Sequence, residues 1–338
     1  MPVESLMEHE RIWIDGLTVD GILAPTDRGV AINHSRPGVV VLTRAILLIG
    51  CVAAFAACTK TDEAVQTATT TAAPNMVSLT ATEYSIQAPD TISAGWTTFR
   101  LANNGEDVHY GHIVRLEAGK TVAELVNAYA EAIRTSGPRP KWVTRFGGPG
   151  GTGPGGSSSV TQYIEPGSYV WICPVEDSAG APHFAKGEVK PFVVRAADPA
   201  VADRGAAPKA DLAIRLMDFS FAVDTPLTAG RQTVRVENGG MEPHDLVLMK
   251  LAPGKTVEDV RTSLNPERTR RADQAGNPPQ PLASLGTLEG GIAVIATGMQ
   301  SFFEANFTPG EYALFCMTTA PDGRSHIEHG MIRQVSVR

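Results

Sequence analysis

The chain is written twice. Val77 to Leu125 aligns without gaps on Leu212 to Val260 at an offset of 135, so that Tyr84-Ser85-Ile86 falls on Phe219-Ser220-Phe221, Asn103 on Asn238 and His109 on His244. The tails align again at an offset of 143, which puts Pro166-Gly167 on Pro309-Gly310, Cys173 on Cys316, His183 on His326 and Gly187 on Gly330. Repetition on this scale reads as two copies of one domain, 77–196 and 211–338, joined by the Ala/Pro-rich linker 197–210.

Within each copy, apolar residues alternate over short runs, as in Phe99/Leu101, Val234/Val236 and Leu246/Leu248. Turn signals such as Asn104-Gly105, Asn238-Gly239 and Pro309-Gly310 bound these runs, a pattern that predicts β-sandwiches. Thr121 to Arg134 departs from it with apolar residues at helical spacing and a stop at Gly137-Pro138, so a helix is expected between strands. The second copy is helix-compatible only from Thr256 to about Leu264. The glycine-rich run 147–159 reads as a flexible loop and lacks the Lys-Ser/Thr ending of a phosphate cradle. A net charge of −7 argues against binding nucleic acid.

The segment before the repeats reads as an address. An apolar run from Ala45 to Ala57 follows Arg44 and ends in Phe55-Ala56-Ala57-Cys58, which resembles the lipobox of a bacterial lipoprotein signal with Cys58 as the lipidated residue. Cys51 also sits in a lipobox-like setting but is followed by apolar rather than polar residues. The reading is therefore an extension and signal over 1–58, a Thr/Ala-rich tether over 59–76, and a head held at the cell envelope by a lipid, facing the periplasm or the outside. Residues 1–38 are acidic and unlike the basic start of such a signal, which suggests translation beginning near Val39 to Val41.

All six histidines and both cysteines after residue 58 fall in two zones of the repeat. One is the end of an early strand after an Asn turn (His109, His112, His244); the other runs from the last-strand Cys to the end of the copy (Cys173, His183, Cys316, His326, His329). The order Asn238…His244, Pro309-Gly310…Cys316, His326, Gly330-Met331 resembles the cupredoxin, or blue-copper, family. The resemblance covers both copies. It implies an all-β fold of two tandem Greek-key cupredoxin-like β-sandwiches and a mononuclear copper in the second, held by His244, Cys316, His326 and Met331. Soft thiolate, imidazole and thioether donors are those that such a copper site uses.

The first copy offers His109, Cys173 and His183, with Glu188 where the second has Met331. A copper there would have a carboxylate or water in the axial position, or nothing; a hard oxygen donor would stabilise the oxidised ion and lower the potential relative to the second site. His112 and His329 are alternative ligands in their respective copies. Ten positions separate Cys316 from His326, several more than in the family's compact copper loops.

Neither Cys173 nor Cys316 has an adjacent His, so the resemblance does not extend to the coupled copper sites of multicopper oxidases or copper nitrite reductases. No Gly-x-Ser-x-Gly or His-Glu-x-x-His motif is present either. The sequence therefore reads as a one-electron carrier working with a redox partner protein rather than as an enzyme. The alternatives are an envelope copper carrier working with a copper donor or acceptor, or a metal-free module presenting the loops 137–159 and 265–291 to a partner. Cys173 and Cys316 are expected to remain unpaired, since each occupies the same late strand of a different copy.

Overall fold

The computed structural model describes residues 73–135, 137–197, 206–265 and 280–338, with Arg268, Arg271 and Gln274 between the last two stretches. Cys58 and the proposed signal lie outside the described residues. No helix among the described residues is long and apolar enough to cross a membrane.

The first repeat contributes β1 (Asn75–Thr82), β2 (Ser85–Gln87), β3 (Thr91–Ser93), β4 (Gly95–Asn103), β5 (His112–Leu116), β6 (Val143–Arg145), β7 (Ser157–Ile164), β8 (Gly167–Ile172) and β9 (Val189–Arg195). The second contributes β10 (Leu212–Met217), β11 (Ser220–Val223), β12 (Gly230–Asn238), β13 (His244–Leu251), β14 (Gly286–Ile295), β15 (Gln300–Phe307), β16 (Gly310–Phe315) and β17 (Ile332–Val337). The alternation read from sequence is what packs them. In β4, Thr97, Phe99, Leu101 and Asn103 point inward, and in β1 Val77, Leu79 and Ala81 do so.

Each repeat is a two-layer β-sandwich, but its layers do not stop at the repeat boundary. One eight-stranded sheet runs β11-β10-β12-β15-β7-β4-β1-β2, reading as the same four-strand order from either end and joined where β15 pairs antiparallel with β7. Val160 of β7 lies in the second repeat's core, and Met299 packs against both cores. Each large aliphatic side chain so buried contributes about 1.5–3 kcal/mol. The second layer is split into β3-β9-β8-β5-β6 and β14-β13-β16-β17.

The stretch 146–152 closes that split, and here the expectation of a flexible loop over 147–159 is overturned. Ile113 and Gly111 donate backbone hydrogen bonds to Gly147 and Pro149 on one side (2.8 and 3.0 Å). On the other side Gly147 donates to Val294 and Ala293 donates to Gly148 (both 2.9 Å). The stretch is buried throughout, only Gly153 to Gly155 forms a partly exposed turn, and Ser157 onward is β7. Glycine is required because the backbones approach so closely. A Cβ on Gly148, where φ is +101°, would lie 2.1 Å from the Gly111 carbonyl oxygen. Of the loop 137–159, the stretch 146–152 is buried between the repeats and is not offered to a partner, whereas 137–145 is half-buried or exposed. Of the loop 265–291, most of 266–279 lies outside the described residues.

The helix α1 (Val122–Arg134) starts at a Thr121/Glu124 capping box and buries Leu125, Tyr129 and Ala132 over Val114, Val170 and Ile172. Its counterpart α2 (Val257–Leu264) starts at the equivalent Thr256/Asp259 box and buries Val260. Both helices thus lie on the outer face of the second layer, leaving the strand ends free to carry the residues described next.

Candidate metal centres

In both repeats one asparagine organises the loop that delivers the first histidine. The Asn238 amide donates to the carbonyls of Glu242 and Ile295 (2.8 and 3.1 Å) while its oxygen accepts from Gly240 N–H (2.9 Å). Asn103 does the same with Asp107, Thr152 and Gly105. The second histidine is set by the turn after the last-strand cysteine, where His326 N–H donates to the Thr318 carbonyl (2.8 Å) and Met331 N–H to that of His326 (2.8 Å).

These turns bring the residues together. In the second repeat the Nδ1 atoms of His244 and His326 are 3.0 Å apart, and the Cys316 Sγ lies 3.9 and 3.4 Å from them. All three side chains are fully buried. Ten positions between Cys316 and His326 therefore do not prevent convergence, because the loop folds back through a bridge between Thr319 and Ser325. In the first repeat His109, Cys173, His183 and Glu188 converge with ligand atoms all within 4.8 Å of one another. The Glu188 Oε2 sits 2.9 and 3.0 Å from the two Nδ1 atoms.

Glu188 and Met331 occupy the same backbone slot. Each donates its N–H to the second histidine's carbonyl (3.0 and 2.8 Å), and each accepts from the cysteine N–H with its own carbonyl (3.2 Å in both). Met331 is fully buried in the same core cluster as Cys316.

Two histidines stand apart. His112 is buried in β5 outside the first cluster, and burial together with Arg145 pushes it down to about 3. His329 pairs with Asp322 at 3.0 Å and stacks on Phe219 rather than joining the second cluster. Neither takes the place of a cluster histidine. Cys173 and Cys316 are both free thiols.

Sequence reasoning missed the carboxylates on the far side of the rings. His244 Nε2 lies 3.1 Å from Asp218 Oδ1, and His326 Nε2 lies 3.0 Å from Glu242 Oε2. The first repeat matches this more loosely, with His109 facing Glu83 at 3.4 Å and His183 facing Asp107 at 3.7 Å. The signal was present, since the offset of 135 maps an acid onto an acid at both positions. Asp245, the residue after His244, is buried and accepts from Met317 N–H and the Thr318 hydroxyl (2.8 and 3.2 Å), pinning the start of the Cys-to-His loop.

A carboxylate only accepts, so in the second cluster each Nε2 facing one is a donor and the Nδ1 of the same ring is turned to the cluster. Burial, with His244 and His329 nearby, pushes His326 down to about 4, so this ring stays neutral near pH 7. The two inward-facing Nδ1 atoms, 3.0 Å apart, are placed to hold one metal ion between them. Burial and the Asp245 carboxylate push the Cys316 thiol up, and a bound metal ion is what would ionise it in place. The donor set, two imidazoles and a thiol with a thioether in the fourth slot, suits a soft or borderline metal ion. The first cluster, with a carboxylate in that slot, suits a harder one.

No protein-family model and no curated protein sequence matches the chain. Among solved structures, auracyanin A, described as a "blue" copper protein from Chloroflexus aurantiacus, is 21% identical over 36% of this chain and 99% of its own, with a TM-score of 0.28. Auracyanin from Roseiflexus castenholzii is 24% identical over 37% of this chain and 99% of its own, with a TM-score of 0.24. A multicopper oxidase is 14% identical over 78% of this chain and 88% of its own, with a TM-score of 0.21. The fold rests on the strand order and register, and the site on its own distances.

Proposed function

We propose that the chain is an exported copper protein whose second repeat carries one electron at a time, the metal being held by His244, Cys316 and His326 with Met331 in the fourth position. The observation that carries this reading is the pair of Nδ1 atoms 3.0 Å apart beside a buried thiol, each ring held from behind by a carboxylate. Copper supplies the redox change; the protein supplies a rigid, dry set of donors between two sheets, which keeps reorganisation small when the charge changes. Full burial of all three residues favours electron transfer over handing the ion to another protein, for which a ligand has to be reachable.

The first cluster takes copper in the same way with Glu188 in place of the thioether. The lipid anchor at Cys58, a location in the cell envelope and a redox protein as partner complete the proposal, supported by the signal-like sequence before the repeats.

The test is copper loading of the purified protein followed by desalting, metal analysis and an absorption spectrum. An intense visible thiolate-to-copper band is expected, and Cys316→Ser is expected to lose one copper per chain together with the band of the second centre. Copper retained equally by Cys316→Ser, or no retained copper at all, would refute the assignment.

A further inference from the structure

The turn between the first two strands of each repeat lies directly over its cluster, and two features of it recur. Glu83 and Asp218 precede Tyr84 and Phe219, which are the only non-glycine residues with positive φ among those described, both at 64°. A bulky side chain in the left-handed region is a strained choice that glycine would relieve. Here the strain places a ring. Tyr84 meets the edge of His183 at a centroid distance of 5.3 Å, and Phe219 meets His326 at 5.2 Å, both nearly perpendicular.

The acid before each aromatic reaches the other imidazole. Asp218 accepts from His244 Nε2 and is itself held by the backbone N–H groups of Met241 and Glu242 (2.9 and 3.1 Å). Glu83 is held in the same way by the N–H groups of Glu106 and Asp107. Glycine clears the space for this contact. A Cβ on Gly240 would lie 2.4 Å from Asp218 Oδ1 and 2.8 Å from His244 Nε2, and one on Gly105 would lie 2.3 Å from Glu83 Oε1 and 2.6 Å from His109 Nε2.

We propose that this two-residue tip, Glu83-Tyr84 and Asp218-Phe219, is the closing element of each metal centre. The acid is a positioning residue that fixes the first imidazole as its Nε2–H tautomer, so that the Nδ1 lone pair is presented to the metal ion. The aromatic seals the second imidazole from water. In the second centre Phe219 covers His326 and has His329 stacked against it at 4.4 Å. This rests on the reading of the clusters as metal centres, and it explains why no cluster histidine is exposed.

The test uses Co(II) as the probe in the full chain carrying Cys173→Ser, so that the thiolate-to-cobalt band reports Cys316 alone. Asp218→Ala is expected to lower Co(II) affinity about 10- to 100-fold, the usual effect of losing a group behind a ligand imidazole. Asp218→Asn keeps an acceptor oxygen and is expected to restore most of it. Phe219→Gly relieves the backbone strain, so the fold is retained, and removal of Co(II) by a chelator is expected to be about tenfold faster as water reaches His326.

Nitrogen-15 shifts of the metal-free protein read the tautomer directly and separate the two ideas. His244 as Nε2–H in the parent, with a mixed tautomer in Asp218→Ala, supports the closing role whether or not metal binds. An unchanged tautomer in Asp218→Ala, or Co(II) affinity and release unchanged in both variants, overturns it. Absence of any Co(II) binding by the parent overturns the metal reading instead, and the shifts then decide the role of the tip.

Discussion

Gly148→Ala is expected to destabilise the protein by roughly 3–5 kcal/mol, lowering the melting temperature on the order of 10 °C, because two penalties fall on one methyl group. The residue sits at φ +101°, where any side chain is strained, and its Cβ would lie 2.1 Å from the Gly111 carbonyl oxygen. Neither can relax without parting backbones that are hydrogen-bonded on both flanks of 146–152. Gly155→Ala is the control. It also has positive φ, +68°, but nothing lies within 4 Å of its Cβ, so a loss of about 1 kcal/mol is expected from backbone strain alone. Equal melting temperatures for the two variants would mean that 146–152 does not join the repeats as described. Because the stretch connects β5 to β14, Gly148→Ala is also expected to separate a single cooperative melting transition into two.

Exchanging the fourth donors is expected to move the two centres' potentials toward each other. Glu188→Met replaces a hard anion that stabilises Cu(II) with a soft thioether that stabilises Cu(I), so the first centre's potential rises. Met331→Gln puts a neutral oxygen donor in the second slot without burying a new charge, so that potential falls. A hundredfold change in the relative affinity for the two oxidation states corresponds to about 120 mV for one electron, and shifts of that order are expected. The shared backbone slot makes the comparison clean, since the carbonyl and N–H bonds that place residue 188 also place residue 331. Spectroelectrochemical titration of each variant measures the shifts. Movement of both potentials in one direction would show that these residues do not act as the fourth donors.

Much of the fold and of both clusters was legible because the chemistry sits in residues with few alternative uses. The Asn…His and Cys…His order is kept in both copies, and the alternation in β4 and β12 follows from having one buried face. What stayed hidden has a physical cause in each case. Glycine carries no side-chain pattern, so the paired stretch Phe146-Gly147-Gly148-Pro149-Gly150-Gly151 looks the same in sequence as a loose loop, and only its neighbours show why nothing larger fits.

Glu83, Asp107, Asp218 and Glu242 are partly exposed acids on turns, which in a sequence read as solvated residues. Their role depends on which ring nitrogen points outward, a matter of geometry alone. The joining of the repeats into one sheet depends on β7 and β15 meeting edge to edge, and their residues do not differ in kind from those of an exposed edge strand.

The most direct test of the one-electron reading is a reversible redox titration of the copper-loaded protein followed by visible absorption and electron paramagnetic resonance. A thiolate band from the Cys316 centre is expected that bleaches with one electron, returns in full on reoxidation, and disappears together with its Cu(II) signal in Cys316→Ser. Copper that binds without such a band, or that leaves the protein when its oxidation state changes, would contradict electron transfer and make the chain a carrier of the metal itself.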